Sequence, residues 1–317
     1  MAFDPVAAVL AQFPFPVSCA LFSFKSATLP GSCQLLGSWG DQDKVYPWMS
    51  VTKLVTSRTI LGAVENGVLD LSEPLPQLTG VSESRPVSVA DLLAHRSGLG
   101  HEKREFTRAT GRRRVYSNSG YEILGELLSQ RSGIPFTTWA QEMVLSPLGI
   151  ERQLSESPAW GMHGNLRELL AFAIEAACPR FLSPKLFAAW SRSDGMQLPG
   201  VVPGYGFHRD NAWGLGCEIR GAKDPHWTLP GSSEDTYGHF GQSGSFLWID
   251  PTSRLGAVFL GQEPFGALHK QLWPKLNRAL REVAKPLNGS WEPPLKSPVR
   301  GQMPLCLYVP RAKTAPP

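Results

Sequence analysis

The chain has 317 residues and a net charge of +4; 42% of its residues are hydrophobic and 18% are charged. This composition is typical of a soluble globular protein with a large core and one or two domains. The net charge is too small to indicate binding to nucleic acid, and no run of about eighteen apolar residues predicts a helix that spans a membrane.

The amino-terminal segment and the cysteines together predict a location. Residues 1–22 lack a basic region, and Pro14 and Pro16 interrupt their apolar stretch, so we expect no signal peptide. The five cysteines are an odd number, lie far apart and form no C-x-x-C motif. Such cysteines are typical of free thiols in a reducing compartment, each by default a small buried hydrophobe. The sequence therefore predicts a cytoplasmic protein.

The first half of the chain alternates in hydrophobicity and then takes a helical period. Residues 17–24 and 32–39 are predicted to be strands joined by a turn. The helix that follows is expected to begin near Ser50 and to end before Gly67, since glycine suits the position after a last helical turn. Its predicted apolar face contains Leu54, Ile60, Leu61 and Val64. Five more helices are predicted over residues 88–100, 118–133, 135–149, 165–177 and 183–193.

From residue 205 the chain returns to alternating patterns that contain glycines. Strands are predicted over residues 213–220, 238–250 and 254–262. A last helix is predicted over residues 267–284, where Pro274 is expected to introduce a kink. The proline-rich tail from Pro286 has no period and is expected to be extended or disordered.

Strands, then helices, then strands predict an α+β protein in which an antiparallel sheet is flanked by helices and interrupted by a mostly helical insertion. We expect residues 1–80 and 205–285 to form the sheet region together. Residues 81–204 would form the helical region, and residues 286–317 the tail.

One short motif has the composition of a reaction centre. In "WMSVTKL", Ser50 precedes Lys53 by one helical turn, so both side chains share a face of the helix. A desolvated lysine has a lowered pKa and can take the serine proton, and the helix start adds a positive field. The motif is common, because one S-x-x-K is expected by chance in roughly every 300 residues. A capping serine beside a surface lysine is therefore the alternative.

Two further stretches contain small polar motifs of the same kind. "VYSNSGY" contains Tyr116 and Asn118 as Y-x-N, and "GHFGQSGSF" contains His239 and Gly241 as H-x-G. Taken one at a time, Tyr116 reads equally as a half-buried strand tyrosine and Asn118 as a turn asparagine.

The order of the three motifs resembles the serine β-lactamase and penicillin-binding-protein superfamily, with class C β-lactamases and family VIII esterases as the most similar branch. The flanking segments agree. "VSVADLLAHRSGLG" is similar to a family segment, "GRRRVYSNSGYEILGELLSQRSGIPFTTWAQEMVLSPLGI" resembles the second-motif region, and "HFGQSGSFLWIDPTSRLGAVFLGQ" the third-motif hairpin. The resemblance covers residues 15–285 and implies the β-lactamase/transpeptidase fold.

The resemblance also implies roles for individual residues. Ser50 would be the acylated nucleophile, and Lys53 the base that activates it. The Tyr116 hydroxyl would relay a proton between Ser50, Lys53 and the leaving group. Asn118 would bind a substrate carbonyl and hold Lys53 in place.

The third motif would complete the substrate site. The backbone N–H groups of Ser50 and Gln242 would form the oxyanion hole. Gly241, which has no Cβ, would let the substrate approach the strand edge. His239 stands where β-lactamases and carboxypeptidases usually have a lysine that binds the substrate carboxylate. A mostly neutral histidine donates one hydrogen bond but binds an anion weakly, which favours an esterase or aminopeptidase over a β-lactamase.

The second-motif region departs from the family in two further ways. Only "HEKREFTRAT" leads from "SGLG" to "GRRRVYSN", a shorter insertion than is usual, so we expect a more open or reshaped cleft. The arginines at positions 112–114 are either a solvated basic loop or a rim that attracts anionic substrates.

No other catalytic motif competes with this reading. The sequence has no G-x-S-x-G, no P-loop, no dinucleotide fingerprint and no zinc motif, so we expect no cofactor and no metal. The predicted function is a serine hydrolase that acts on a small-molecule ester or amide through an acyl-enzyme on Ser50. Within this class, a carboxylesterase is the first expectation. The alternatives are a β-lactamase, a D-amino-acid peptidase, an acyltransferase, and a catalytically silent ligand-binding relative.

Overall fold

The structure is a computed structural model that describes residues 4–25, 33–75, 78–155 and 157–284. Most of the predicted turn after the first strand, Cys306 and the proline-rich tail lie outside the described residues. None of the helices within these ranges is long and apolar enough to cross a membrane.

Strands from both ends of the chain share one sheet. The described strands are β1 Ser18–Phe24, β2 Cys33–Trp39, β3 Tyr46–Pro47, β4 Pro74–Leu75, β5 Val87–Ser88, β6 His163–Gly164, β7 Gly200–Val202, β8 Gly206–His208, β9 Glu218–Ile219, β10 Tyr237–Gly241, β11 Ser245–Asp250 and β12 Leu255–Leu260. Six of them form a sheet in the order β2-β1-β12-β11-β10-β9, in which every neighbouring pair is antiparallel. The other six form three small two-stranded pairs.

The helices occupy the ends of the chain and its middle. They are α1 Pro5–Leu10, α2 Thr52–Glu65, α3 Val89–Leu93, α4 Asn118–Ser132, α5 Phe136–Ala140, α6 Leu166–Ala177, α7 Pro184–Ser191 and α8 Ala267–Ala284. Two 3-10 turns, Met49–Val51 and Ser146–Leu148, and one π turn, Gln141–Leu145, adjoin them. The predicted α+β class, an antiparallel sheet with helices, is confirmed.

Helices cover both faces of the sheet. Side chains along a strand alternate between its faces, and here the buried apolar residues on each face pack against helices. In β12, Leu255, Ala257 and Phe259 pack with buried residues of α1 and α8. Val258 and Leu260 point the other way and pack with buried residues of α2 and α6. The second of these faces contains the helix that follows Ser50.

Helix α2 is buried on all sides, whereas the sequence predicted a single apolar face. Every residue from Thr52 to Ala63 is buried, because the helix contacts α4, α5, α7 and β10. Its polar side chains therefore need internal partners. Thr56 Oγ1 donates to the Pro158 carbonyl at 2.5 Å, and Arg58 forms an ion pair with Glu175 at 3.1 Å.

Helix boundaries follow the sequence where a glycine or a capping residue sets them. Helix α4 is followed by Gly133 with φ 71°, and α8 has the predicted bounds and continues through Pro274. The helix predicted over residues 88–100 ends at Leu93 instead, and His95 adopts φ 54°. The helix predicted over residues 135–149 changes to the π turn and a 3-10 turn after Ala140.

The strand predicted over residues 213–220 is mostly a loop. Only Glu218–Ile219 pairs with β10. The preceding residues lie against α7, where Leu215 N donates to the Ala189 carbonyl at 2.8 Å. A Cβ at position 214 would lie 2.4 Å from the Trp190 carbonyl oxygen, so this close contact explains the glycine there.

Candidate active site

Ser50 lies on a strained turn at the entrance to α2. The 3-10 turn Met49–Val51 precedes the helix, and Met49 adopts φ 47°, in the left-handed region that non-glycine residues rarely use. Trp48 N donates to the Met162 carbonyl at 2.9 Å and holds the preceding backbone. The turn places the Ser50 hydroxyl beside the next turn of the helix.

Lys53 is fully buried and has only neutral contacts. Its Nζ donates to Asn118 Oδ1 at 2.6 Å and to the Ala159 carbonyl at 3.0 Å, and it lies 3.4 Å from Ser50 Oγ. Among the residues that the structure describes, no carboxylate forms an ion pair with it. Burial lowers the pKa of Lys53 to about 7, although the more distant Glu102 and Glu122 oppose this. A neutral amine is therefore available near pH 7, and the surface-lysine alternative is wrong.

The Tyr116 ring lies over the lysine. Lys53 Nζ is 4.8 Å from the ring centroid. Burial raises the pKa of Tyr116 above its ordinary value, and a hydrogen bond with Ser50 opposes the rise in part. Tyr116 is therefore a neutral phenol that is hydrogen-bonded to Ser50 and contacts Lys53 through its ring, and its hydroxyl can both donate and accept a proton.

Asn118 is the first residue of α4, and its side chain connects Lys53 to Glu102. Its Oδ1 accepts from Lys53, and its Nδ2 donates to Glu102 Oε1 at 2.7 Å. Only one of the two Nδ2 hydrogens is used in this contact, so the other is available to a substrate carbonyl. The helix start itself is capped by Ser117, whose hydroxyl accepts from Gly120 N at 3.0 Å.

His239 is buried in β10 and has a defined tautomer. Its Nδ1 lies 2.6 Å from the Phe240 carbonyl oxygen. Because that oxygen can only accept, Nδ1 bears the proton and Nε2 has a free lone pair. Burial, with help from the charge on Lys53, lowers the pKa of His239 to about 4. The sequence predicted a hydrogen-bond donor toward the substrate, but the free nitrogen of this neutral ring is an acceptor.

Gly241 brings β10 against the nucleophile turn. A Cβ at this position would lie 2.3 Å from the Trp48 carbonyl oxygen and 3.2 Å from Ser50 N. The close approach that the glycine allows is thus to the protein's own backbone, whereas we expected an approach by the substrate. The next residue, Gln242, is fixed by Phe265 N, which donates to its carbonyl at 2.7 Å.

These residues meet at one cavity of about 500 Å³. Five of the seven predicted site residues line it: Ser50, Tyr116, Asn118, His239 and Gln242. The other two, Lys53 and Gly241, contact Ser50 from outside the lining. Much of the remaining wall is apolar and consists of Met49, Trp160, Val201, Val202, Pro203 and Trp213. The arrangement can activate a serine hydroxyl next to a cavity that accepts an apolar group.

The sequence did not identify several residues of this site. Glu102 and Glu218 line the cavity, and His95 packs on the Tyr116 ring at 4.7 Å between centroids. Glu218 could have been identified from the sequence, because a charged residue inside a buried strand pattern needs a partner. Glu102 could not, because it lies in a polar loop.

The three arginines before Tyr116 do not form a rim. None of them lines the cavity. Arg114 is buried and donates to Asp194 Oδ1 at 2.6 Å and to the Ala94 carbonyl at 2.8 Å. The Arg113 guanidinium lies over the Phe207 ring, and Arg112 is exposed. The run combines one structural arginine with two surface arginines, so the two interpretations of the sequence are both incomplete.

No group of three or more histidine, cysteine or acidic side chains within the described ranges could hold a metal ion. The cysteines at positions 19, 33, 178 and 217 form no disulfide, although the sulfur atoms of Cys33 and Cys178 are 3.3 Å apart.

Comparisons with known proteins agree with this geometry. Residues 38–280 match the family model described as Beta-lactamase. A β-lactamase structure from Mycobacterium bovis is 35% identical, with a TM-score of 0.79, and the alignment covers 88% of this chain and 99% of that one. The structure of EstCE1, a hydrolase with promiscuous acyltransferase activity, has a TM-score of 0.68 at 14% identity and covers 87% of this chain and 97% of its own. The second likeness shows the fold alone.

A curated relative matches over a shorter stretch. The D-alanyl-D-alanine-carboxypeptidase/endopeptidase AmpH of Escherichia coli is 24% identical over an alignment of 139 residues, and the match covers 34% of this chain. The match spans 36%, about a third, of the length of that relative. The resemblance to the serine β-lactamase and penicillin-binding-protein superfamily, and its β-lactamase/transpeptidase fold, are confirmed.

Proposed function

The chain belongs to the β-lactamase family of serine hydrolases, and we propose that it is a carboxylesterase that forms an acyl-enzyme on Ser50. The observation that carries the proposal is the environment of Lys53. A buried amine with neutral acceptors only, 3.4 Å from Ser50 Oγ, is a base that is neutral near pH 7. A binding protein has no need of such a base, which is costly to bury.

In the first half-reaction the Ser50 oxygen attacks the ester carbonyl. Lys53 Nζ takes the serine proton while Oγ bonds to the carbonyl carbon, and the carbonyl π pair moves onto its oxygen. The N–H groups of Ser50 and Gln242 are the donors for that oxyanion. Collapse breaks the bond to the alcohol oxygen, which receives a proton from Tyr116, and Lys53 returns a proton to the phenol.

In the second half-reaction water attacks the acyl-enzyme. The water proton moves to Lys53 through Tyr116, and collapse returns it to Ser50 Oγ. The net reaction converts one ester and one water into an acid and an alcohol. Asn118 holds Lys53 in place throughout, since its Oδ1 is the shortest contact of the amine.

An ester is favoured over a β-lactam by His239. A β-lactam presents a carboxylate, and the free Nε2 lone pair of His239 faces such a group with another acceptor. A second candidate is acyl transfer to an alcohol or amine instead of water. A cavity of about 500 Å³ has room for a second substrate, and the EstCE1 likeness makes this candidate worth testing.

A fluorophosphonate probe and a panel of substrates test the proposal. We expect the probe to label Ser50, and we expect hydrolysis of p-nitrophenyl butanoate with little turnover of nitrocefin. Ser50→Ala should abolish labelling and lower turnover by on the order of 10³-fold or more, since the oxyanion hole alone supplies only a residual rate. Ser72→Ala, which changes an exposed serine, is the matched control. Nitrocefin turnover above ester turnover would instead assign a β-lactamase.

We also propose a cytoplasmic location. It is supported by the four described cysteines, which form no disulfide. Fractionation of cells that produce the full chain, followed by immunoblotting, would place it; recovery outside the cytoplasm would contradict the proposal.

A further inference from the structure

The cavity contains a buried hydrogen-bond acceptor that none of the described residues satisfies. His239 is 3% exposed and lines the cavity. Its Nδ1 proton is used on the Phe240 carbonyl, and its Nε2 has no partner among the described residues. An unpaired buried acceptor is unfavourable, so this nitrogen is suited to a ligand that donates a hydrogen bond.

A second acceptor stands at the rim of the same cavity. The Glu102 side chain is 65% exposed and lines the cavity. One of its oxygens, Oε1, accepts from Asn118 and lies 3.1 Å from His101 Nε2. The other oxygen has no hydrogen bond to the described residues, so the carboxylate can accept a further donor from solvent or substrate.

Much of the rest of the lining is aromatic, and among the described residues it contains no lysine or arginine. Trp160, Trp213 and Phe240 contribute rings. The only acidic groups in the lining are Glu102 and Glu218, and Glu218 is neutralised by Lys223 at 3.0 Å. Aromatic faces attract cations, and a lining without a lysine or arginine gives a substrate carboxylate no such cation to pair with.

We propose that the substrate is an ester or amide that carries a protonated amine on its acyl or leaving group, held by His239 Nε2 and the Glu102 carboxylate. This inference rests on the proposed function. It adds a substrate class: an ammonium can donate to either acceptor and lie against the rings, whereas a carboxylate can donate to neither of them. The positive charge has a second consequence, because a nearby cation favours the neutral form of Lys53.

Two matched series of substrates test the proposal. In the first, p-nitrophenyl esters carry 3-aminopropanoyl, butanoyl or succinyl groups, which differ chiefly in the charge of the chain end. In the second, butanoate esters carry 4-(aminomethyl)phenol, 4-ethylphenol or 4-(carboxymethyl)phenol as the leaving group. In at least one series we expect kcat/KM to be about tenfold higher for the cation than for the neutral ester, the gain of one charge-assisted hydrogen bond, and lowest for the anion.

Variants test which residues cause the preference for the cationic ester. Glu102→Gln keeps an acceptor for Asn118 but loses the charge, so it should reduce the preference for the cation. Glu105→Gln removes an exposed charge from the same loop outside the cavity lining and should leave the preference unchanged. His239→Lys places a cation in the wall and should reverse the order in favour of the anionic ester. Thermal unfolding checks that this variant folds, and Glu102→Gln decides if it does not.

The outcomes distinguish a failure of the amine-bearing substrate class from a failure of the esterase proposal on which it rests. If Ser50 is labelled and the neutral ester is hydrolysed, but neither series favours the cation, the amine-bearing class is wrong and the esterase stands. If Ser50 is not labelled and no ester is turned over, the esterase proposal fails and this inference fails with it. A preference for the cation that survives Glu102→Gln and His239→Lys unchanged would also overturn it, because neither acceptor would then be the cause.

Discussion

Two lysines among the described residues are fully buried, one beside Ser50 and one behind the cavity, and their partners differ. Lys53 contacts only neutral oxygens. Lys223 also contacts two neutral oxygens, of Asn211 at 3.0 Å and Ala212 at 3.1 Å, but adds Glu218 at 3.0 Å. Burial lowers the pKa of both amines, and at Lys223 the adjacent carboxylate opposes the effect.

The difference shows that burial alone does not decide what a lysine does. A carboxylate in contact stabilises the ammonium form and makes the pair structural. Glu218 gains from the same contact: burial raises its pKa, but Lys223 and His226 outweigh burial, so the pKa lies below its ordinary value. Without such a carboxylate, Lys53 can give up its proton near pH 7 and act as a base. Under the proposed mechanism, the contact with a carboxylate separates a structural lysine from one that acts as a base.

The largest expected effect comes from fixing a charge at position 53. Lys53→Arg keeps the positive charge but cannot lose a proton at ordinary pH, so turnover of p-nitrophenyl butanoate should fall by about 10³-fold or more. Circular dichroism and thermal unfolding check that the variant folds. Lys103→Arg, a change at an exposed lysine, should leave turnover unchanged. A Lys53→Arg enzyme with a tenth of the original rate would mean that lysine is not the base.

Stability should depend more on Lys223 than on Lys53, whereas activity should depend more on Lys53. Lys223→Met leaves the buried Glu218 without its cation and should lower the free energy of unfolding by about 3 kcal/mol. Lys53→Met leaves only neutral acceptors unpaired, and it also removes the cost of burying an amine, so its loss should be on the order of 1 kcal/mol. Urea denaturation at pH 7 measures both. Equal losses would show that the two sites do not differ as their contacts imply.

The pH dependence distinguishes Lys53 from His239. A lysine with a lowered pKa is neutral above that pKa, so kcat/KM for p-nitrophenyl butanoate should rise with pH, reach half its maximum near pH 7 and level off above. Two pH units below the midpoint the rate should be about 100-fold below the plateau. His239 has a pKa of about 4, so the rising limb should persist in His239→Gln. Loss of the limb in that variant would assign it to the histidine.

The smallest effect is expected from the removal of an exposed cation. Such a residue differs from both lysines, which are buried. Arg112 is exposed and lies outside the cavity lining. Arg112→Gln should change KM for a succinyl ester less than about twofold, since exposed charges in high dielectric interact weakly. A rise in KM for the anionic ester alone, reduced by added salt, would restore the anion-attracting rim.

Much of the frame could be predicted because it depends on neighbours in sequence. Helix α8 has its predicted bounds, and Gly133 ends α4, since periodicity and backbone conformation are local properties. The three motifs were also identified, because one helical turn joins Ser50 to Lys53 and one short segment holds Tyr116 with Asn118. The roles of these residues and the division into a sheet region and a helical region stay predictions.

What the sequence could not provide was the environment of each of these groups. The acceptors of Lys53 come from residues 118 and 159, and the contact that fills the space beside Gly241 comes from Trp48. The partner of Arg114 is Asp194, eighty residues later.

The sequence by itself determined the fold, the order of the motifs and the identity of the nucleophile candidate. Only the tertiary structure decided that Lys53 lacks a carboxylate, that His239 presents an acceptor and that Arg114 is buried. The physical reason is that residue type and spacing decide which hydrogen bonds a segment can form. Charge state depends instead on burial and on contacts from distant segments, which exist only after the chain has folded.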